Sequence, residues 1–444
     1  MSQPTIAPRT CHMAFRLNNA QPITAAYGQG MVTAAMDHFA ASLQRYLVGL
    51  HGYLGPVELH RSGENEIMVA CKRTRIGPEV MRTLIDELCA GIAMDPLRHD
   101  GRLVLLSVTA GCAFVSLDAG IEADAAEHEA CKAQARLRLA DATMPNDGPL
   151  LPSQTQIRLY REDMVQAAAL LERIGREEAF FVWRPIFKPQ EPDRVLHYEA
   201  LLRLPGEQGE QLECTLAYAA LERLGLAYLA DKHAASRVLD ELEADPLASI
   251  SFAISAQSLS PHLHGRDAAW TELLARLRAD KGLAARLVLE IHETAPMTGL
   301  AEVQALVGQM RALGARICIA GFGSGFASTR QLLMIQPDIV KLDSIFLHTA
   351  YQCERNRNRI SHLIGLARTL SNTLVIDGVE TPWHMKLARE ENVQWIAGAL
   401  QGRASTRRAW LAKPQKPRAN GGEETLDNNL VFLPQPAGQA VQLR

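Results

Sequence analysis

The chain of 444 residues is long enough for two domains, and its 47% hydrophobic and 21% charged residues are typical of a globular protein. Its formal net charge of -3 is spread without long runs of one sign, which argues against binding to a nucleic acid backbone. The sequence has no apolar run of about 18 residues and no apolar core of a signal peptide near its start. We therefore expect a cytoplasmic protein that neither inserts into a membrane nor binds nucleic acid.

The N-terminal part of the chain mixes helical and strand patterns. Its predicted elements are helices at 31–50 and 78–92, a hairpin turn at Ser62 and Gly63, and an alternating strand pattern within 102–115. Such a mixture favours a small α+β domain, which we place at residues 12–145. The following stretch is rich in Pro, Gly and small polar residues, so we predict a linker at 146–156.

After this linker, short β-rich runs alternate with longer amphipathic stretches, a pattern typical of βα units around a parallel sheet. The predicted strands are 179–187, 194–202, 248–255, 286–292, 315–321, 338–343, 372–378 and 393–399. Eight such units in about 250 residues match the size of a TIM barrel. We place this barrel at residues 157–412 and predict a flexible tail at 413–444, which is rich in Pro, Gly, Asn and Gln.

Polar residues gather at the ends of these predicted strands. In a TIM barrel the C-terminal ends of the strands form one rim, where acids could hold a divalent metal and cations a phosphate. Taken singly, each could instead be a solvated rim group or part of a structural ion pair. The set comprises Glu199, Arg203, Glu290, Glu293, Lys341, Asp343, Asp377 and Glu380.

Two other features could suggest ligand binding. The spacing of the histidines His197, His233, His292 and His348 fits no compact metal-ligand set, so we expect each to be satisfied or exposed. The glycine amides of "GFGSG", residues 321–325, could bind a phosphate through backbone N–H groups. For this segment we favour a tight turn that follows a strand.

Five motifs within residues 180–405 carry a resemblance to a known family. They are "YEALLRL" at 198–204, "LVLEIHE" at 287–293, "GFGSGFAS" at 321–328, "PDIVKLDSIF" at 337–346 and "DGVET" at 377–381. In this order and spacing they resemble the EAL domain, the family of cyclic di-GMP phosphodiesterases. The resemblance implies an α/β fold, an EAL-type modified TIM (β/α)8 barrel.

The same resemblance implies roles for individual residues. EAL enzymes hold two metal ions that activate water for attack on a phosphodiester. Glu199 and Glu290 match family metal ligands, Lys341 matches the lysine that orients the water, and Glu293 matches the acid that supports a loop. The ligand-binding positions implied by the resemblance are Arg203, which would grip a phosphate, and Glu199, Leu201, Gly323, Gly325, Asp343 and Glu380.

The chain departs from the family at several metal-binding positions. Ala253 replaces an asparagine, Ala320 and Gly321 replace two aspartates, and Asp377 replaces a longer glutamate. Alanine and glycine supply no side-chain oxygen, whereas Mg²⁺ and Mn²⁺ need several oxygen ligands. We therefore expect no intact catalytic site and an absent or residual phosphodiesterase activity.

The N-terminal domain resembles, more faintly, a GGDEF domain, the diguanylate cyclase that precedes many EAL domains. "RSGENEIMV" at 61–69 lies where the family has its signature, with Glu64 in place of a glycine and Asn65 in place of an aspartate. Asn18 replaces the upstream metal-binding aspartate, which leaves Glu66 as the retained acid. We expect no diguanylate cyclase activity.

These observations favour a degenerate GGDEF–EAL protein that requires no cofactor and acts in bacterial second-messenger signalling. It would act as a cyclic di-GMP receptor or as a scaffold for another signalling protein. A homodimer formed through the barrel is compatible with either role. The alternative is a weak phosphodiesterase that releases linear pGpG. That enzyme would use one Mg²⁺ or Mn²⁺ held by Glu199, Glu290 and Asp377.

Overall fold

The structure is a computed structural model that describes residues 9–115, 125–142, 153–259, 266–292, 300–325 and 328–411. The predicted tail at 413–444 and most of the predicted linker, residues 146–152, lie outside these ranges. Within them, the N-terminal region contains β1 (Arg9–Leu17), α1 (Ala20–Tyr27), α2 (Gln29–Gly49), α3 (His51–Leu54), β2 (Val57–Arg61), β3 (Glu66–Thr74), α4 (Pro78–Ala93), β4 (Leu97–His99), β5 (Arg102–Val104), β6 (Val108–Phe114) and α5 (Ala125–Ala142).

The N-terminal region is an antiparallel sheet of order β2-β3-β1-β6 with helices on both faces. Successive residues of a strand point to opposite faces, and β1 follows this rule. Met13 and Phe15 are buried in the cluster that contains α2 and α4, whereas Ala14 is buried against α5. The α+β prediction is confirmed, and the predicted hairpin joins β2 to β3.

The second region begins with a long helix and continues as a barrel. Its elements are α6 (Gln154–Gly175), β7 (Phe180–Phe187), β8 (Val195–Pro205), β9 (Gln211–Glu213), α7 (Thr215–Arg223), α8 (Ala227–Ala244), β10 (Ile250–Ser255), α9 (Arg266–Ala279), α10 (Lys281–Ala285), β11 (Leu287–His292), α11 (Leu300–Leu313), β12 (Arg316–Phe322), α12 (Thr329–Ile335), β13 (Ile339–Leu342), α13 (Ser344–Thr349), α14 (Glu354–Leu370), β14 (Thr373–Ile376), α15 (Pro382–Glu390) and β15 (Trp395–Ile396).

All eight predicted barrel strands are present, and β8 pairs with β10 to close the barrel. The predicted modified barrel is confirmed, and it departs from a wholly parallel sheet at one strand, since β7 runs antiparallel to both β8 and β15. The physical reason is the short connection between β7 and β8, residues 188–194. A parallel pair needs a crossover of about a dozen residues or more, so this connection can join only antiparallel strands.

Helix α6 joins the two regions. Ser153 caps it by accepting a hydrogen bond from the amide of Gln156, so it begins three residues before the predicted barrel boundary at 157. Its buried residues Met164 and Leu171 lie in the same apolar cluster as Phe39 of the N-terminal region and Leu221 of α7. The two regions therefore share a continuous core, while the domain boundaries themselves stay a prediction.

None of the helices in the described part of the chain combines the length and apolar character that a membrane crossing requires.

Candidate functional site

The barrel interior has an apolar layer below a charged one. The apolar layer is a buried cluster formed by Ile186, Val288, Cys318, Ile339, Val375 and Ala397. Because side chains alternate along a strand, a residue two positions nearer the rim points to the same side. On the parallel strands this rule brings Glu290, Ala320, Lys341 and Asp377 into the layer above. On β7, which runs the other way, it brings in Arg184.

Lys341 is the centre of the charged layer. Its Nζ contacts the carboxylate of Glu199 and lies 3.3 Å from Oε2 of Glu290 and 3.5 Å from Oδ2 of Asp377. Glu199, Glu290 and Lys341 are 3%, 2% and 4% exposed. The structure thus brings together four of the predicted site residues, from strands β8, β11 and β13 and the end of β14.

Arg184, which the sequence did not single out, completes this cluster. It lies directly opposite Glu199 in the β7–β8 ladder, and its Nε donates to the Glu199 carboxylate. Its Nη2 donates to Oδ2 of Asp377 at 3.0 Å. The available signal was one charged residue two positions from Ile186 in the otherwise apolar strand "FFVWRPIF".

Glu290 has two further neighbours in the barrel. Ser251 Oγ donates to its Oε1 at 2.5 Å, and Nε2 of the buried His197 lies 3.8 Å from the same oxygen. Burial alone would raise the pKa of Glu290, but His197 and the Ser251 hydroxyl outweigh it and lower this pKa. Burial lowers the pKa of His197. His197, which we expected to be satisfied or exposed, is thus buried beside an acid of the cluster.

The cations and acids of the cluster shift one another's ionisation. Burial lowers the pKa of Lys341 to about 8, and the charge of Asp377 opposes this shift. Burial also acts to raise the pKa of Asp377, but the charges of Arg184 and Lys341 hold it well below its usual range. Both groups are therefore charged at neutral pH, and the acids are compensated by cations of the chain itself.

A divalent metal pair does not fit this arrangement. Ala253 pairs with Glu290 in the ladder and Ala320 pairs with Lys341, so methyl groups lie at two positions where oxygen ligands would be needed. The carboxylates of Glu199 and Asp377 already accept from Arg184. Over the described ranges, no group of three or more His, Cys, Asp and Glu is arranged to hold a metal ion. Glu293 lies outside those ranges.

The glycine loop after β12 forms a tight turn. Gly321 and Gly323 have φ angles of 75° and 95°, in the left-handed region that favours glycine. Ser324 Oγ donates to the carbonyl of Gly321 at 3.0 Å and also contacts the Asp343 carboxylate. Asp343 in turn accepts from the amide of Ile345 and caps α13. Asp343 thus fixes the loop and the start of this helix, and Gly325 is exposed beside them.

The remaining predicted ligand residues lie apart from the ion cluster and have partners of their own. Arg203 Nη2 donates to Oε1 of Glu213 on β9 at 2.8 Å, and Nη1 donates to the Leu202 carbonyl. The exposed Glu380 lies 3.8 Å from Nε2 of His348. Leu201 pairs with Val182 across β7 and β8.

In the N-terminal region, the residues at the cyclase-like positions bind neighbouring protein groups. Asn18 Oδ1 accepts from Thr109 Oγ1 at 2.6 Å. Glu66 accepts from Arg136 Nε at 2.7 Å and from Ser62 Oγ at 2.8 Å. These contacts hold the β2–β3 hairpin and its neighbours in place.

The sequence profile of the EAL domain matches residues 167–404, more than half of the chain. The chain therefore belongs to the EAL domain family. Among curated relatives, it is 32% identical over 123 residues to the cyclic di-GMP phosphodiesterase NbdA of Pseudomonas aeruginosa, a match that covers 28% of this chain and 16% of NbdA. It is 22% identical over 210 residues to the cyclic di-GMP phosphodiesterase PdeF of Escherichia coli, covering 47% of this chain and 28% of PdeF. The chain thus spans well under half of the length of each.

Solved structures with similarity to the chain include two that cover most of it. The S helix-GGDEF-EAL portion of Vibrio cholerae LapD, bound to c-di-GMP, is 15% identical with a TM-score of 0.47, covering 90% of each chain. The EAL enzyme Bd1971, in its cAMP- and cyclic-di-GMP-bound form, is 16% identical with a TM-score of 0.49, covering 90% of this chain and 93% of that one.

Proposed function

We propose that this chain is a degenerate GGDEF–EAL protein that binds cyclic di-GMP without hydrolysing it and acts as a receptor or signalling scaffold in the cytoplasm. The observation that carries the proposal is the buried ion cluster. The acids Glu199, Glu290 and Asp377 are bound by the cations Lys341 and Arg184 of the same chain. Acids held in this way are poor ligands for a catalytic metal.

Hydrolysis of a phosphodiester needs an activated water and positive charge at the attacked phosphate. In this barrel the Lys341 ammonium is engaged by Glu199 and Glu290, both almost fully buried. The side chains at 253 and 320 add no oxygen ligand. Within the described part of the barrel, the acids are thus held by cations and the lysine by acids, which supports binding without turnover.

The rim still offers groups that suit an anionic dinucleotide. Arg203 is paired with Glu213, whose side chain is 68% exposed. An ion pair with such an exposed partner contributes little, so a phosphate can replace Glu213 as the partner of Arg203. The loop glycines Gly323 and Gly325 follow β12 at the same end of the barrel, and backbone amides of such a turn can bind a phosphate.

The first experiment is a calorimetric titration with cyclic di-GMP, with and without EDTA. We expect saturable binding of equal affinity in both conditions, and affinity at least about tenfold weaker in Arg203→Ala because a charge-assisted contact is lost. Arg194→Ala is the matched control, since Arg194 directly precedes the same strand and pairs with Glu191 at the surface. If saturable binding is absent both with and without EDTA, the receptor function is contradicted and the scaffold function remains.

The second experiment separates the receptor from the alternative, a residual phosphodiesterase that uses Mg²⁺ or Mn²⁺. Purified protein is incubated with cyclic di-GMP and Mn²⁺, and the linear dinucleotide pGpG is sought by chromatography. We expect none. Turnover that disappears in Glu199→Ala would establish the enzyme instead. A different result is expected if the protein acts as a scaffold for a protein partner or as a homodimer through the barrel. In that case Arg203→Ala should leave the interaction intact, whereas substitutions on an exposed helix of the barrel should abolish it.

A further inference from the structure

Arg184 lies between two acids of the ion cluster. Its guanidinium bridges two carboxylates that come from distant parts of the chain, Glu199 of β8 and Asp377 after β14. A divalent cation or a guanidinium can bind two carboxylates at once in a defined geometry. An ammonium is a compact charge that binds with less directional preference. The Arg184 and Asp377 side chains are 21% and 24% exposed, so water can reach this side of the cluster.

The charges of the cluster explain why the two kinds of cation exclude each other. Glu199, Glu290 and Asp377 carry three formal negative charges, and Lys341 and Arg184 carry two positive ones. A divalent ion added to this set would leave an excess of positive charge in a largely buried place, which is costly. Without Arg184 the set would carry two uncompensated negative charges, equal to the charge of one divalent ion.

We infer that Arg184 is a resident cation that takes the place of a divalent metal between Glu199 and Asp377, and that replacing it with a neutral residue opens this position to Mn²⁺ or Mg²⁺. Such an ion would be held by the two carboxylate oxygens that Arg184 now contacts. Water would complete its shell, as Mg²⁺ commonly keeps several waters and one or two carboxylates. Lys341 would remain between Glu199 and Glu290.

This inference goes beyond the proposed function, because it concerns the charge balance of the barrel and involves no nucleotide. It differs from an ordinary structural ion pair in one measurable respect. If Arg184 only adds stability, its loss weakens the fold and no small ion compensates. If Arg184 stands in for a metal, its loss creates a divalent-ion dependence that the native protein lacks.

The test measures the thermal unfolding midpoint of the full chain with and without Mn²⁺, together with the electron paramagnetic resonance signal of free Mn²⁺. We expect Arg184→Gln to unfold at a lower temperature than the native protein and to recover by roughly 5 °C at saturating Mn²⁺. Adding the Arg184→Gln protein to a Mn²⁺ solution should also reduce the signal of free Mn²⁺. The native protein should show neither effect.

Two controls accompany this comparison. Arg203→Gln removes an arginine from an ion pair at the rim, with Glu213, and should leave the midpoint independent of Mn²⁺. Adding Glu199→Gln to Arg184→Gln removes one of the two carboxylates and should abolish the recovery. If Arg184→Gln does not fold, Arg184→Met replaces it, since methionine is also neutral and leaves the same two carboxylates without their cation, and Mn²⁺ should again raise the midpoint.

Equal Mn²⁺ shifts in the native protein and the Arg184 variant would overturn the inference, because the acids would then accept a metal beside the guanidinium. Absence of any shift in the variant would overturn it as well. No arm contains cyclic di-GMP, so failure of nucleotide binding and failure of this inference are separate results.

Discussion

Arg184 and Glu199 lie directly opposite each other on the antiparallel strands β7 and β8, and the arginine also donates to Asp377. This relationship depends on the direction of β7. Arg184 precedes Ile186, which lies in the apolar layer. In a parallel strand of the same sequence, Ile186 would be nearer the rim than Arg184. The reversed strand therefore places the arginine at the level of the acids.

Lys341 should be the most costly single residue of the cluster to neutralise. Lys341→Met leaves the buried Glu199 and Glu290 with less compensation, and we expect a loss of about 3–5 kcal/mol in the free energy of unfolding. Chemical denaturation measures this loss. Arg203→Met, which breaks an ion pair with an exposed partner, should cost less than about 1 kcal/mol.

Adding Glu290→Gln to Lys341→Met should restore part of the lost stability, because Glu199 still accepts from Arg184 whereas the buried Glu290 carboxylate has lost its lysine. Equal losses for Lys341→Met and Arg203→Met would show that the buried cluster is not electrostatically coupled.

Asp231 should make the stability of the barrel depend on pH. Its carboxylate accepts from Tyr218, Ser258 and the amide of Ser255, and burial raises its pKa to about 7. Between about pH 4 and 7 the unfolded chain has released this proton while the folded chain retains it. Stability should therefore fall as the pH rises through this window, by on the order of 2 kcal/mol between about pH 5 and 7.

Asp231→Asn should flatten that dependence, since an amide can accept at one atom and donate to the Tyr218 oxygen at the other. Denaturation of both proteins at several pH values provides the measurement. A native protein whose stability rises over this window, with the same slope in the variant, would contradict the assignment to Asp231.

The sequence predicted the barrel well because its information is local. Each of the eight strands is a short apolar run bounded by turn residues, and all eight predictions overlap strands of the structure. The direction of β7 could have been predicted from the short segment 188–194. The pairing across the barrel could not, because contacts such as Lys341 with Glu199 join residues 142 positions apart.

The candidate site was predicted in part for the same reason. Motif positions identified Glu199, Glu290, Lys341 and Asp377, which do meet in the barrel. Arg184 and His197 were not linked to the cluster, because nothing in their local sequence states which acid they face. Arg203 and Glu380 were assigned to the same site, yet Arg203 pairs with Glu213 and Glu380 lies near His348.

The loop glycine Gly323 should tolerate no side chain. A Cβ at this position would lie 2.8 Å from Cε2 of Phe346 and 3.3 Å from Cδ1 of Leu363, and its φ of 95° already disfavours other residues. Gly28 has a similar φ of 92°, but a Cβ there would meet no atom within 4 Å. We expect Gly28→Ala to cost about 1–3 kcal/mol and Gly323→Ala about 1 kcal/mol or more beyond that. Equal losses in denaturation would mean that Phe346 and Leu363 move aside freely.

The shared core predicts that the N-terminal region and the barrel unfold together. Leu171 of α6 is fully buried in the cluster that contains Phe39 and Leu221. Leu171→Ala should lower the free energy of unfolding by about 2–5 kcal/mol, whereas Leu159→Ala, on an exposed part of the same helix, should change it by less than about 0.5 kcal/mol. Calorimetry should record one transition that shifts as a whole in Leu171→Ala. Two transitions, of which only one responds to the substitution, would show that the regions fold independently despite their common apolar cluster.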